Sequence, residues 1–285
     1  MNINDFTTSE KPTWCPGCGN FGVLNAIKMA FVKLGLKPEE IAIAYGIGCS
    51  GNTANLLKTY GIHTLHGRPI AVAEGIKLAN RDLKVLSIAG DGDSYGIGAN
   101  HFMQVARRNI DITMIVMDNH RYSLTTGQTS PTTDLGDKTN TSLYGSIEES
   151  FNPIAMALAA DAGFVARGYA GMPPAKLADL IVKAINHKGF SIIDILQPCI
   201  TFNETNTFAW YQKRIYDLES RGYKPNDKTK AFAKAQEWGD KIPIGVFYQD
   251  KRKTYEDQQP QITAKEVVEE DLSITNLSQL MDEFV

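Results

Sequence analysis

Lys84-Val-Leu-Ser-Ile-Ala-Gly90 runs into Asp91-Gly92-Asp93, and Ile112-Thr-Met-Ile-Val-Met117 runs into Asp118-Asn119. Each apolar run has the length of a strand buried on both faces. A helical pattern near Ile97–Arg108 lies between them, so the unit reads as strand, helix, strand. Asp91 and Asn119 then stand at the C-terminal edge of a parallel sheet, where open α/β sheets bind ligands. Magnesium takes oxygen ligands and tolerates one or two protein carboxylates beside substrate phosphates. An acid, an amide oxygen and the Arg121 carbonyl, beside glycines that open the backbone, suit Mg2+ holding a diphosphate.

Working outward, the same alternation recurs. Phe21–Leu34 has a helical period ended by Gly35 and Pro38, and Ile41–Tyr45 reads as a strand. A strand-like piece ends at His66-Gly67-Arg68, and a helix near Ile70–Ala79 follows. Asn152-Pro153 starts a helix to about Ala162, Phe164–Tyr169 is strand-like, Pro174–His187 is an amphipathic helix, and Phe190–Leu196 is a buried strand. About six strands alternating with helices predict an α/β fold with a doubly wound, mostly parallel sheet. Residues 1–14 are polar and read as lying on the surface or on a partner. The polar stretch to Ser150 is too long for an ordinary connection and reads as a lid or docking loop. A helix is expected over Phe208–Arg221, followed by a charged extension whose last twenty residues are acidic and mildly amphipathic. The division expected is residues 1–205 as the ligand-binding domain and 206–285 as an extension packed on the core or a partner.

Bulk composition narrows the function classes. The chain has 285 residues, 43% hydrophobic, with a net charge of −3, which recommends neither nucleic acid nor an anionic membrane as partner. No apolar run is long enough to span a bilayer, and Asp5 and Glu10 stand where a secretory signal would need apolar residues. A soluble cytoplasmic protein is the expectation.

Gly46-Ile47-Gly48-Cys49-Ser50-Gly51 matches G-x-G-x-x-G after a strand, the pattern of a dinucleotide site. No acid ends the next strand-like piece to take the ribose hydroxyls, which argues against it. A G-x-x-x-x-G-K-[ST] phosphate loop is absent from the sequence. His66 is placed to bond a phosphate oxygen. Arg68 could supply charge at the same edge or be a surface arginine, and His63 and His101 read as structural. The four cysteines, Cys15, Cys18, Cys49 and Cys199, could be unrelated buried hydrophobes, a zinc site or ligands of an iron–sulfur cluster. Cys49 and Cys199 are single, so the second C-x-x-C knuckle usual for zinc is missing.

Asn119 lies 28 residues after Asp91, and Gly90-Asp91-Gly92 with Asn119 resembles the thiamine-diphosphate motif of thiamine enzymes. The wider set is Trp14-Cys-Pro-Gly-Cys-Gly19, Gly46-Ile-Gly-Cys-Ser50, His66-Gly-Arg68, Gly90-Asp-Gly-Asp93, Leu124-Thr125 and Gly127-Gln-Thr-Ser-Pro131. It resembles the β subunit of 2-oxoacid:ferredoxin oxidoreductases over about residues 10–205. The resemblance implies that Cys15, Cys18, Cys49 and Cys199 hold one [4Fe–4S] cluster. It also implies that Asp91, Asn119 and the Arg121 carbonyl hold Mg2+, and that Ile47, Gly48, Cys49, Ser50, His66, Gly92, Asp93, Ser123 and Leu124 contact thiamine diphosphate. The implied reaction is coenzyme A-dependent oxidative decarboxylation of a 2-oxoacid to acyl-CoA and CO2, with electrons passing singly through the cluster to ferredoxin. The carboxylate that activates the cofactor is expected from a partner α (or fused γα) subunit. Where many members read Tyr-Gly-Leu-Thr-Lys-Gly-Gln, this chain reads Tyr122-Ser-Leu-Thr-Thr126-Gly-Gln128, and Asn52 stands where some carry a basic residue. Fewer cations favour pyruvate and other short 2-oxoacids over a dicarboxylate. The alternatives are a non-oxidative thiamine decarboxylase or ligase subunit, and a non-enzymatic four-cysteine metal-binding module.

Overall fold

The computed structural model describes residues 1–260, 265–270 and 277–283. An eight-stranded sheet runs through the molecule. Its strands are β1 (Ile41–Tyr45), β2 (Tyr60–His63), β3 (Lys84–Gly90), β4 (Thr113–Asp118), β7 (Phe164–Tyr169), β8 (Ser191–Leu196), β9 (Ile215–Asp217) and β10 (Ile242–Gln249). A two-residue hairpin, β5 (Arg121–Tyr122) with β6 (Gln128–Thr129), stands apart at the sheet's edge loops. The order across the sheet is β2-β1-β3-β4-β8-β7-β10-β9. The first six of these are parallel, and β10 joins antiparallel to β7.

The central strands are mostly apolar because both faces are covered, with Ser87, Arg167 and Asp194 among the buried polar exceptions. Ile115 and Met117 of β4 face one core with Val23, Ile27 and Phe31 of α1 (Asn20–Lys33) and Leu177 and Ile181 of α5 (Pro174–Asn186). Met114 and Val116 face the other core, with Ile70 of α2 (Pro69–Ala79), Phe102 and Val105 of α3 (Ala99–Arg108) and Ile154 and Leu158 of α4 (Pro153–Ala159). Burying one such side chain contributes about 1.5–3 kcal/mol. The strand periodicity of two therefore divides a single apolar run between two helical layers. Each parallel strand ends at the same edge, and Asp91, Asn119 and Gln197 follow β3, β4 and β8 there.

Three expectations need correction. The helix predicted over Phe208–Arg221 is confined to α6 (Phe208–Gln212), after which the chain extends into β9. Pairing won over helical periodicity: Ile215, Tyr216 and Asp217 lie opposite Ile242, Pro243 and Ile244 of β10, while α7 (Lys228–Ala235) fills the connection. The segment expected as a helix therefore supplies β9, and the charged extension beyond it supplies β10, which carries an irregular register between Val246 and Tyr248. The strand before His66 stops at His63, so His66 stands in the following turn. In the N-terminal stretch, Phe6 is fully buried with its ring 5.3 Å from that of Phe31, although most of its neighbours are exposed. The amphipathic pattern expected at the C-terminus falls partly outside the described residues. Among the described residues no helix is long and apolar enough to cross a membrane.

Candidate active site

Ile47, Gly48, Cys49, Ser50, His66, Gly90–Asp93, Asn119 and Arg121–Thr125 line one cleft at the C-terminal edge of the sheet. The loop after β1, the turn after β3 and the hairpin after β4 form its walls. After Asp91 the chain makes a wide π turn over Gly92–Ile97 before α3 begins. Such turns are uncommon and concentrate at functional sites.

Two glycines are dictated by close approach. A Cβ on Gly46 would lie 1.7 Å from Asp93 Oδ2, and one on Gly92 would lie 2.2 Å from the Tyr122 ring. Tyr122 in turn donates its hydroxyl to the Gly92 carbonyl at 3.0 Å. Asp93 Oδ1 accepts from the Gly67 N–H at 2.6 Å and from His66 Nδ1, so it pins the His66 turn to the floor of the cleft. Burial pushes the Asp93 carboxyl up, and the bonds from Gly67 and His66 oppose that.

Asp91 and Asn119 are held by different means. Asp91 Oδ2 accepts from Thr132 Oγ1 at 2.8 Å, and the same hydroxyl lies 2.8 Å from Asp118 Oδ1. One hydroxyl has one proton to give, so it cannot satisfy two carboxylates at once. Burial drives Asp118 well above the usual carboxylate range, and Asp194 and Asp91 push it further; Asp91 is likewise raised by burial. The pair is therefore disposed to keep a proton. Asn119 Oδ1 accepts from the Arg121 N–H at 3.0 Å, its Nδ2 donates to Gln197 Oε1 at 3.3 Å, and its carbonyl accepts from Asn203 Nδ2 at 3.0 Å. The Arg121 guanidinium is engaged: it donates to the carbonyls of His120 (2.7 Å), Phe202 (3.2 Å) and Lys138 (3.4 Å) and to Asp137 Oδ2 (2.5 Å). Its charge thus anchors the polar 131–150 loop. Asp134 in that loop is held by Asn206 and Trp238, both from the C-terminal part of the chain.

All four cysteines line a second cavity of about 180 Å3. Cys49, Asn119, Ser123 and Leu124 belong to the walls of both spaces, so the two are adjacent. Trp14 Nε1 donates to the Cys49 carbonyl at 2.6 Å, tying the first knuckle to the second loop. Burial pushes the Cys49 thiol up to about 11, and Cys18, Cys199 and Cys15 each add to the shift. Among the described residues, no three His, Cys, Asp or Glu side chains converge closely enough to hold a metal ion. A four-iron cluster spreads its thiolates around a cube, whereas one zinc ion draws four ligands to within about 2.3 Å of itself.

Residues 38–195 match the thiamine pyrophosphate enzyme C-terminal TPP binding domain, and residues 199–264 match the C-terminal domain of the pyruvate ferredoxin oxidoreductase β subunit. A 2-oxoacid:ferredoxin oxidoreductase subunit β from a Sulfolobus species is 48% identical, covering 85% of this chain and 83% of its own. The chain belongs to the 2-oxoacid:ferredoxin oxidoreductase β-subunit family. A 2-oxoglutarate synthase subunit KorB from Methanocaldococcus jannaschii is 45% identical over 66% of this chain and 70% of its own. The structure of 2-oxoglutarate:ferredoxin oxidoreductase from Magnetococcus marinus, with 2-oxoglutarate, coenzyme A and succinyl-CoA bound, superposes with a TM-score of 0.90. It is 34% identical and the match covers 99% of this chain and 96% of that one. The family accounts for the thiamine-type fold and for a sheet that continues past residue 205.

The β-subunit fold places the residues whose roles the sequence left to be decided. The Gly46–Gly51 loop leads into a short 3-10 turn at Gly51–Asn55 rather than the α-helix a dinucleotide site requires. Arg68 is exposed, pairs with His101 and is not part of the cleft wall. His63 Nε2 lies 2.7 Å from the Gly46 carbonyl, a structural contact. Thr126 adopts φ +79, a left-handed conformation that disfavours a β-branched residue. Sequence reading missed Thr132, Asp118, Gln197 and the Arg167–Asp194 pair. Two of these left a signal: Arg167 and Asp194 are the charged residues in the apolar runs that became β7 and β8, and they stand directly opposite each other.

Proposed function

We propose that this chain is the thiamine diphosphate- and cluster-binding β subunit of a coenzyme A-dependent 2-oxoacid:ferredoxin oxidoreductase. The observation that carries this reading is the shared wall: Cys49, Asn119, Ser123 and Leu124 border both the diphosphate cleft and the four-cysteine cavity. Electrons released in the first would have a short path into the second. The donor set suits both groups. Asp91, the Asn119 amide oxygen and the Arg121 carbonyl would hold Mg2+, and Cys15, Cys18, Cys49 and Cys199 would hold one [4Fe–4S] cluster. Bound thiamine diphosphate supplies the nucleophilic carbon and electron sink needed to release CO2 from a 2-oxoacid, and the cluster carries single electrons. The chain's own residues provide the rest. The Gly46–Ser50 loop and the Gly92 turn admit the cofactor, Asp93 orients His66 toward it, and Ser123 and Leu124 close the side facing the cysteines.

Acids in the cleft wall are Asp91 and Asp93, and both are committed, to Thr132 and to the His66–Gly67 turn. Neither is free to activate the aminopyrimidine, so that carboxylate comes from a partner α subunit. Protein purified without oxygen should therefore contain iron, sulfide and thiamine, and should reduce ferredoxin only when the α subunit is present. Robust turnover by the isolated chain would refute the dependence. Colourless, iron-free protein that still binds thiamine diphosphate would favour a non-oxidative decarboxylase or ligase.

Substrate choice follows from charge. With the Arg121 guanidinium engaged by Asp137 and three carbonyls, and with Thr126 and Asn52 uncharged, the cleft offers little to a second carboxylate. The expected result is a higher kcat/KM for pyruvate and short 2-oxoacids than for 2-oxoglutarate. A tenfold preference for 2-oxoglutarate would overturn it.

A further inference from the structure

Two side chains outside the cysteine set donate hydrogen bonds to cysteine sulfurs. Ser123 Oγ donates to Cys199 Sγ at 3.2 Å, and Gln197 Nε2 donates to Cys18 Sγ at 3.5 Å. Ser123 and Cys199 are each 8% exposed and Gln197 1%, so water competes weakly for these sulfurs. We propose that Ser123 is a positioning residue whose hydroxyl, bonded to Cys199, raises the reduction potential of the cluster bound by the four cysteines. The inference rests on the four-cysteine reading above and deepens it.

Reduction takes [4Fe–4S]2+ to [4Fe–4S]+ by adding one electron, with no bond broken and no proton moved. The added negative charge spreads onto the cysteine sulfurs, so a donor aimed at one stabilises the reduced state more than the oxidised state. The effect is enlarged where the local dielectric is low. Ser123 cannot easily swing away. Its carbonyl accepts from the Thr126 N–H at 3.2 Å, and the Gly127 N–H donates to the Tyr122 carbonyl at 2.9 Å, closing a tight turn. Gly127 holds φ +93 against Phe202, where an added Cβ would meet the Phe202 side chain at 2.9 Å. The hydroxyl is thus delivered to the sulfur by a turn whose backbone is fixed on both sides. Gln197 is a less clean probe. Its Nε2 also donates to the Pro198 carbonyl at 2.9 Å, and its Oε1 accepts from Asn119, so replacing it would disturb the Mg2+ side as well.

The experiment compares wild type, Ser123→Ala and Ser123→Thr, each purified without oxygen together with any subunit that accompanies it. Iron and sulfide are measured first, and the cluster is then titrated against potential with the electron spin resonance signal of the reduced state as readout. The alanine variant is expected to keep its iron and sulfide but to shift the reduction equilibrium about tenfold against the reduced form. For one electron that is a midpoint lower by about 59 mV. The threonine variant, which keeps a hydroxyl, should return the midpoint toward wild type. An unchanged midpoint in an alanine variant with a full cluster overturns this inference alone. Wild type without iron and sulfide overturns the reading of the four cysteines and this inference with it. Loss of the cluster from the alanine variant would assign the hydroxyl to cluster assembly and overturn the tuning role.

Discussion

Arg167→Met is expected to destabilise the protein by about 3–5 kcal/mol, the cost of breaking a buried ion pair from one side. Arg167 is 3% exposed and Asp194 is fully buried, and the two stand opposite each other on β7 and β8. Arg167 Nε donates to Asp194 Oδ2 at 3.1 Å, while Tyr95 donates its hydroxyl to the other carboxylate oxygen at 3.1 Å. The guanidinium also lies 5.4 Å from the Trp238 ring centroid and 5.6 Å from that of Phe247. Behind the pair stand Asp118 and Asp91, linked through Thr132, so removing the cation leaves a group of buried carboxyls facing one another. Methionine fills much of the space and isolates the charge effect from a cavity effect. The double variant Arg167→Met with Asp194→Leu should recover part of the loss, because the two apolar groups need no partner while the buried Tyr95 hydroxyl loses its acceptor. Urea unfolding of the four proteins in the cycle measures the coupling. A single variant within about 0.5 kcal/mol of wild type, the range of an ordinary surface change, would show that the pair carries no such weight.

This network also marks the limit of what the chain reveals unaided. The strands leading to Asp91 and Asn119 are legible because their runs are mostly apolar over the length of a buried strand, and the turn after the first because Gly90 and Gly92 flank Asp91. Contacts between distant loops leave no local trace. Thr132 reaches Asp91 across 41 residues and Ser123 reaches Cys199 across 76, each set by how a loop packs rather than by any period. The lost helix at Phe208–Arg221 fails for a related reason. Ile215 and Tyr216 fit a helical stripe and a strand equally well, and only the free edge of β10 decides between them. Arg167 and Asp194 were visible as charges in apolar strands, but their pairing depends on β7 and β8 being neighbours, which follows from the topology.

Asp91→Asn is expected to act in opposite directions on the apo protein and on cofactor binding. The carboxyl of Asp91 is raised by burial, so between the unfolded value, near 4, and its higher folded value the folded state binds more protons than the unfolded chain. Stability then falls as pH rises through that window, by at most about 1.4 kcal/mol per pH unit for one group, and the full contribution is present only below it. Asparagine keeps an oxygen for Thr132 and does not titrate. Without Mg2+ and thiamine diphosphate, the variant should match wild type near pH 4 and gain on it as pH rises through the window up to the raised folded value, as read from urea midpoints. A stability difference that stays flat with pH would sink this account of Asp91. In a calorimetric titration near neutral pH, the same variant should lose more than about a hundredfold in Mg2+-dependent affinity for thiamine diphosphate, beyond the 10–100-fold typical of groups that merely support a ligand. The two results belong together. On the proposed Mg2+ role, a cation would bind the ionised carboxylate and displace its proton, so the affinity that Asp91 confers should rise with pH where the asparagine variant's does not.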